Sequence, residues 1–352
     1  VLVEEISPLL VRVTWFVWGA LWGSFFNVAI HRWPREMSVV SPPSHCPSCG
    51  APVPAWRNLP ILAYLLQRGR AACCGAKLTP RYLVVEVLSA CLAVAVAERF
   101  VIGSAPDRDL LEASLEALVW FAFVGGLVIA TFVDLEHMQI PDEVSLGGAA
   151  LGLATVTVRS EVDVTSIAIG AGAAYLVMVL VPVWGWERLT GQRGMGEGDA
   201  KLLLCIGTFV GWQGVLFVIA AASLQGTLGW LAQLAWRART SPPDAPRTGG
   251  EATSASAEPR DPDAGEEEDV VEAEGPRGAR AELDVDLPGK IVAKARLESD
   301  RVRLVVRYRL DPGAPDAPHV RFGPFLSLAA LEFLFFGNRI IAWYVETVFV
   351  TD

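Results

Sequence analysis

The sequence predicts an all-α polytopic membrane protein with about eight transmembrane helices, a small cytoplasmic loop domain containing cysteines, and a partly disordered cytoplasmic insert. Three observations carry that expectation. Of the 352 residues 52% are hydrophobic and 19% charged, with a mean hydropathy of +0.39, which argues against a water-soluble globule. The charge is also segregated: residues 238–320 hold 18 of the 39 acidic and 12 of the 29 basic side chains, leaving an apolar body. Within that body, runs long enough to cross a bilayer recur. The lipid bilayer is therefore an expected partner. Nucleic acid is not, because a net charge of −10 and a pI near 5.0 leave no basic face to neutralise phosphates.

The first element is the apolar run 10–30, so residues 1–30 form the first transmembrane helix. The chain begins Val1-Leu2 without Met, and this run lacks both a basic flank and a small-residue cleavage site; it reads as a retained span. Residues 31–82 form the loop domain, with Arg32, Arg35, Arg57, Arg68, Arg70, Lys77 and Arg81 against the acid Glu36. Positive charge in a short loop places it in the cytoplasm. Residues 83–237 form a membrane core of about six helices, from runs at 83–102, 117–133, 144–158, 166–186, 201–211 and 215–236. Residues 238–320 are the acidic, Pro-rich insert, and 321–352 carry the last span in the run 325–349. Alternate threading puts 98–116, 159–165 and 211–214 outside and 134–143, 187–200 and 237–323 inside. The basic residues of the outer connections are only Arg99, Arg108 and Arg159, so span parity and charge bias agree.

Within the insert, 240–280 is dense in Pro, Gly, Ser, Ala and acids and lacks aromatics, so burial there cannot offset the entropy of ordering and disorder is expected. Residues 290–310 alternate apolar and basic side chains, a pattern that suits a β-hairpin or a basic amphipathic helix on anionic headgroups.

Cysteines stand at 46, 49, 73, 74, 91 and 205. Cys91 and Cys205 lie in apolar runs, while the other four cluster in the Arg-rich loop, which fits a metal clip in a reducing compartment better than a disulfide framework. Cys46-Pro-Ser-Cys49 is a knuckle of the kind that grips Zn²⁺. Cys46, Cys49, Cys73 and Cys74 are the candidate ligands. Adjacent Cys73 and Cys74 make a strained chelate, His45 is an alternative ligand, and a metal-free loop with unpaired thiols is the competing reading.

The carboxylates at span ends carry the chemistry. Asp134 closes the apolar run 127–133 and lies in Phe132-Val-Asp-Leu-Glu-His-Met-Gln-Ile-Pro-Asp142, and Asp199 closes Gly194-Met-Gly-Glu-Gly-Asp199. The threading puts both on the cytoplasmic side at similar depth, so two carboxylates on different helices can face one another. Such a pair performs aspartic proteolysis. Crowded like charges do not both ionise, so one carboxyl polarises a scissile carbonyl while its partner draws a proton from water, and the pair titrates as a unit. Gly196 and Gly198 permit φ > 0 and close approach of a substrate backbone, which predicts an irregular or unwound start to the sixth span. Together with Lys201 they are the supporting residues. Asp142 and Glu197 offer an alternative dyad, His137 is either a substrate contact or solvated, and Glu143, Glu187 and Glu346 read as ordinary interfacial acids.

These phrases resemble the type IV prepilin peptidases, membrane aspartic proteases of the Gly-x-Gly-Asp type. The resemblance runs from Gly23-Ser-Phe-Phe-Asn-Val-Ala-Ile-His-Arg32 through Cys46-Pro-Ser-Cys49, Trp56-Arg-Asn-Leu-Pro-Ile-Leu-Ala-Tyr64, Arg81-Tyr82 and Glu86. It continues through the Asp134 phrase and Gly196-Glu-Gly-Asp-Ala-Lys-Leu-Leu203 to Phe322-Gly-Pro-Phe325, covering the chain apart from the insert. It implies cleavage of a short basic leader from type IV prepilins or type II secretion pseudopilins, after a Gly, at the cytoplasmic face of the bacterial inner membrane. It further implies N-methylation of the new terminus by S-adenosylmethionine, and puts the catalytic aspartates on Asp134 and Asp199. Glu36, Glu136, Asp142, Glu143 and Glu197 are candidates to receive the leader's basic residues. The cysteine loop would help bind the leader and support methyl transfer. Similar proteins carry a second Cys-x-x-Cys where this chain has Ala71-Ala72-Cys73-Cys74, so Ala71 replaces one cysteine. No glycine-rich loop follows a strand, so the sequence does not locate the methyl donor. Two other classes compete: a proton- or cation-coupled secondary transporter, which expects mid-membrane acids and internal repeats that are not seen, and a catalytically silent scaffold, against which both aspartates and their glycines argue.

Overall fold

The computed structural model describes residues 1–46, 48–159, 163–185, 188, 196–240, 268–273, 282–286, 292–296, 302–307 and 321–349. Two units are distinguished, Val1–Ala235 with Arg321–Asp352, and Trp236–Val320.

In the first unit the regular elements among the described residues are helices. Helix α1 (Pro8–Arg32) starts on Pro8, whose missing N–H has no partner to lose there, and ends on the basic His31 and Arg32. Leu9, Leu10, Val13, Val17 and Leu21 are exposed along it, whereas Trp15, Gly19, Gly23, Phe26 and Ile30 are buried. An outer face this apolar suits lipid. After the loop that carries the short α2 (Leu62–Leu66), α3 (Arg81–Ala97) packs on α1. A methyl group at Gly19 would stand 2.5 Å from Ala93 Cβ, and one at Gly23 2.8 Å from Glu86 Cα. Small residues four apart thus let two apolar helices meet almost backbone to backbone.

Helix α4 (Leu110–His137) is capped by Asp109, whose carboxylate accepts the Leu111 N–H at 2.8 Å, and is terminated by Met138 in the left-handed region. Helix α5 (Asp142–Ala154) follows Pro141, and α6 (Val164–Met178) begins where Asp163 accepts the N–H groups of Thr165 and Ser166. Helix α7 (Glu197–Thr240) is broken at Gly211, with φ 68° and ψ −175°. A Cβ there would lie 2.3 Å from Ser166 Oγ, so both backbone angle and space require glycine. Helix α8 (Gly323–Phe349) completes the unit.

The described residues of the eight apolar runs lie largely on helices, the sixth and seventh meeting at Gly211 within α7; the connection expected at 211–214 reduces to that one non-helical residue. Among the described residues three stretches, Pro8–Arg35, Leu110–His137 and Glu197–Gln233, are long and apolar enough to cross a membrane, and Val164–Met178 and Gly323–Gly337 are shorter apolar helices.

The break in α7 strands carbonyls in the turn before it, because their usual donors four residues on are displaced. Arg159 replaces those donors. Only 3% exposed, it donates to the carbonyls of Thr208 (2.9 Å), Phe209 (3.3 Å) and Gly152 near the end of α5, and its guanidinium lies against the rings of Phe209 and Trp120. Phe209 in turn stacks on Phe123 at 4.2 Å, which ties the break to the middle of α4.

In the second unit β1 (Glu268–Ala273) pairs antiparallel with β4 (Val302–Arg307), and β2 (Glu282–Asp286) with β3 (Val292–Arg296). Of the stretch 290–310 the described residues are β3 and β4, which ladder with β2 and β1 respectively; its other residues lie outside the described ones. Charge accounts for the choice. The register sets Glu268 and Glu272 opposite Arg307 and Arg303, and Glu282 and Asp284 opposite Arg296 and Lys294; β3 and β4 carry no acids with which to complement one another. Of the stretch 240–280, expected to be disordered, residues 268–273 form β1, while 241–267 and 274–280 lie outside the described residues.

Replacing Arg159 with Leu leaves three helix-end carbonyls without donors. Thermal unfolding in detergent is expected to show a loss of about 2–4 kcal/mol, whereas Arg12→Leu, which breaks an exposed ion pair with Glu98, is expected to leave the melting temperature nearly unchanged.

Candidate functional site

Asp134 belongs to the last turn of α4 and Asp199 to the first turn of α7, so two helix ends of opposite polarity deliver the two side chains. The α4 end is fixed by Met138, whose N–H donates to the Asp134 carbonyl at 3.0 Å. The α7 start is closed by the Asp199 N–H, which donates to the Gly196 carbonyl at 3.2 Å. Both carboxylates line one cavity of about 540 Å³ and lie within electrostatic reach of each other. Asp134 is 7% exposed and its Oδ2 is buried without a hydrogen-bond partner; Asp199 is half-buried. The cavity wall also holds Glu36, Asp142, Glu143 and Glu197, all exposed, and Trp33 and Pro34 from the chain after α1. A cleft with this many acids attracts a cationic peptide.

The supporting residues behave differently from expectation. Neither Gly196 nor Gly198 takes a positive φ, and α7 is helical from Glu197, so the described start of this helix is regular. Their contribution is space: a Cβ at Gly198 would press on Ile140 at 3.3 Å, and one at Gly196 would lie 3.8 Å from Asp199 Oδ2. Lys201 does not touch either aspartate but binds Asp142, Nζ to Oδ1 at 2.7 Å. That pairing engages one member of the alternative dyad, Asp142 and Glu197. His137 lies outside this wall, close to Arg35 and Glu136, and Glu136 is itself paired with Arg81. Glu187 lies outside the described residues.

In the loop after α1, the sulfurs of Cys46, Cys49, Cys73 and Cys74 all lie within 4.8 Å of one another. Cys46 is buried, and Cys46–Cys74, Cys49–Cys73 and Cys73–Cys74 are 3.8, 3.4 and 3.9 Å apart. Tetrahedral thiolates around Zn²⁺, each about 2.3 Å from the metal, require sulfur separations of about 3.8 Å. The donor set and spacing therefore fit that ion, and the adjacent cysteines reach a common centre. The N–H groups of Cys49 and Ser48 pull the Cys46 thiol down to about 6, while hydrogen bonding with Cys49 holds Cys73 up at about 12. Thiols crowded this closely do not all ionise unless a cation joins them. His45 contacts the Pro43 carbonyl and is not part of the four-sulfur group.

Two family descriptions match the chain: the bacterial peptidase A24 N-terminal domain over residues 17–100 and the type IV leader peptidase family over 121–231. The prepilin leader peptidase/N-methyltransferase of Aeromonas hydrophila is 37% identical over 235 residues, covering 60% of this chain and 77% of that protein. The chain belongs to the type IV leader peptidase family. Relatives of the same description from Pseudomonas putida (34% identical, 60% of this chain and 77% of that one) and Myxococcus xanthus strain DK1622 (30%, 64% of each) agree. No solved structure matches.

The type IV leader peptidase match contains both Asp134 and Asp199. Sequence reasoning missed Gly323. It was visible as part of Phe322-Gly-Pro-Phe325, a phrase with no chemistry of its own, yet a Cβ at this position would stand 2.8 Å from Asp134 Oδ2. Arg321, beside it, donates to the Leu135 carbonyl, so the start of α8 forms the floor under Asp134. Gly323→Ala is expected to lower thermal stability by about 1–3 kcal/mol; Gly196→Ala, in ordinary contact with Asp199, is expected to change it by under about 1 kcal/mol, both read as melting shifts in detergent.

Proposed function

We propose that this chain is a membrane-embedded aspartic endopeptidase that removes the leader of type IV prepilins or type II secretion pseudopilins, and an N-methyltransferase for the terminus it exposes. The observation that carries the reading is the meeting of Asp134 and Asp199, from two helix ends, in one acid-lined cavity. The names of the relatives, prepilin leader peptidase/N-methyltransferase, support the pair of activities and give no support to a transporter or a scaffold.

In the mechanism, one proton is shared between the two carboxyls, since their charges crowd each other. The ionised carboxylate draws a proton from a water molecule, whose oxygen attacks the scissile carbonyl; the protonated carboxyl donates to the carbonyl oxygen. The tetrahedral centre then collapses as a proton passes to the leaving amine nitrogen. Glu36, Asp142, Glu143 and Glu197 supply negative charge at the mouth for a basic leader. Asp142, held by Lys201, serves this role better than catalysis.

The membrane placement belongs to the same reading. Eight spans put the N-terminus outside and the Arg-rich loop, both aspartates and the insert inside, in the bacterial inner membrane, so that a pilin helix slides laterally until its leader junction meets the dyad. S-adenosylmethionine, when bound, would supply an electrophilic methyl group for the terminal amine that cleavage exposes. Zn²⁺ on Cys46, Cys49, Cys73 and Cys74 would hold the loop together.

With protein in bilayers and a precursor pilin, Asp134→Asn and Asp199→Asn are each expected to cut cleavage about a hundredfold or more while the protein stays folded in the membrane. Retained cleavage in both overturns the dyad. For the loop, Cys46→Ser is expected to lose bound zinc, read by elemental analysis, and to strip the methyl mass from the mature pilin before it affects cleavage. Unchanged methylation with zinc gone would contradict the loop's part in methyl transfer.

A further inference from the structure

A second cavity, of about 280 Å³, lies between α1 and α3 on one side and the cysteine loop on the other. The acid on its wall is Glu86, 8% exposed, whose Oε2 accepts the Ile61 N–H at 2.7 Å. Ile61 has φ 64° and ψ −55°, a conformation that a β-branched residue adopts only when its surroundings impose it, so this bond holds a strained loop against the cavity. Asn27, 3% exposed, donates through Nδ2 to the carbonyls of Gly23 and Tyr82, while its buried Oδ1 has no partner. A buried acceptor without a donor, set beside a cavity, leaves a bond that a ligand or a water in that cavity completes. Tyr64 and Tyr82 add aromatic faces, and Arg57 adds a cation.

These groups define a ligand. It carries hydrogen-bond donors or positive charge for Glu86 and Asn27, a flat ring for the tyrosines, and a carboxylate for Arg57. An adenosyl sulfonium amino acid has all of these. The position is also apt: His31, Arg32 and Met37 face this cavity, while Trp33, Pro34 and Glu36 face the aspartate cavity. One short segment, turned by Glu36 at φ 54°, thus forms the wall between them. An amine released at Asp134 and Asp199 has a single partition to pass.

We infer that this cavity binds S-adenosylmethionine, with Glu86 and Asn27 as its buried anchors; the inference rests on the methyltransferase reading above. Cys46 and Cys73 are also on its wall, so a metal on the cysteines would shape it.

The test uses full-length protein in detergent and S-adenosylmethionine itself. Equilibrium binding is measured for wild type, Glu86→Gln, Tyr64→Ala and the remote control Glu112→Gln, with folding checked by size-exclusion profile. Glu86→Gln and Tyr64→Ala are each expected to weaken binding about tenfold or more, and the control to leave it unchanged. Ultraviolet labelling of wild type, mapped by peptide mass, is expected to mark residues 24–37 or 57–86. Binding to wild type with both variants unaffected, or with the label elsewhere, overturns this cavity while leaving the methyltransferase reading in place. Wild type that binds no donor and adds no methyl to a cleaved pilin overturns that reading and the cavity with it.

Discussion

In a bilayer every backbone N–H and C=O must find its partner within the protein, because the hydrocarbon offers none. That constraint decides where this chain can leave a helix. Helix α4 can stop at Met138 because its N–H returns to the Asp134 carbonyl, and α7 can break at Gly211 because Arg159 takes the carbonyls the break strands. Charged side chains then collect at these ends, where water and helix termini stabilise them. The candidate dyad follows from this: Asp134 sits at the end of one helix and Asp199 at the start of another, and neither interrupts an apolar run.

The same economy of contact governs the seam between α1 and α3. Lipid gives no hydrophobic drive for two apolar helices to associate, so close packing of small residues has to do it. Gly19 and Gly23 let α3 approach, and that approach brings Glu86 to Ser24 and Asn27. A polar cavity beside a seam of small residues is thereby formed. The chain leaving α1 then passes from one cavity to the other within residues 31–37, which ties the geometry of the two to one short segment.

The cysteine loop shows how a sequence can depart from a motif and keep its geometry. With Ala71 in place of a cysteine, the second pair becomes Cys73-Cys74, yet the turn through Gly75, at φ 72°, folds both sulfurs towards Cys46 and Cys49. Ala71 itself is buried and closes the turn through its N–H to the Ala76 carbonyl at 2.8 Å. Spacing along the chain made the adjacent pair look strained; the turn decides where the sulfurs go.

Much of this architecture was legible in the chain because the bilayer imposes long, uniform patterns. Apolar runs located the helices, and Asp134 and Asp199 stood out because a carboxylate at the edge of such a run needs a reason to be there. Charge density separated the insert, and its basic alternation read as strands, but the partners of β3 and β4 depended on acids elsewhere in the insert. What pattern could not supply was contact between residues distant in sequence. The bond of Lys201 to Asp142, the helical φ of Gly198, the floor under Asp134 formed by Gly323 and the clamp of Arg159 on α7 all arise from side chains meeting across helices. Local hydrophobicity was enough to mark the helical segments and the charged residues at their ends. Which of those charges pair and which are left facing a cavity is settled by packing, because it depends on how close the small residues allow the helices to come.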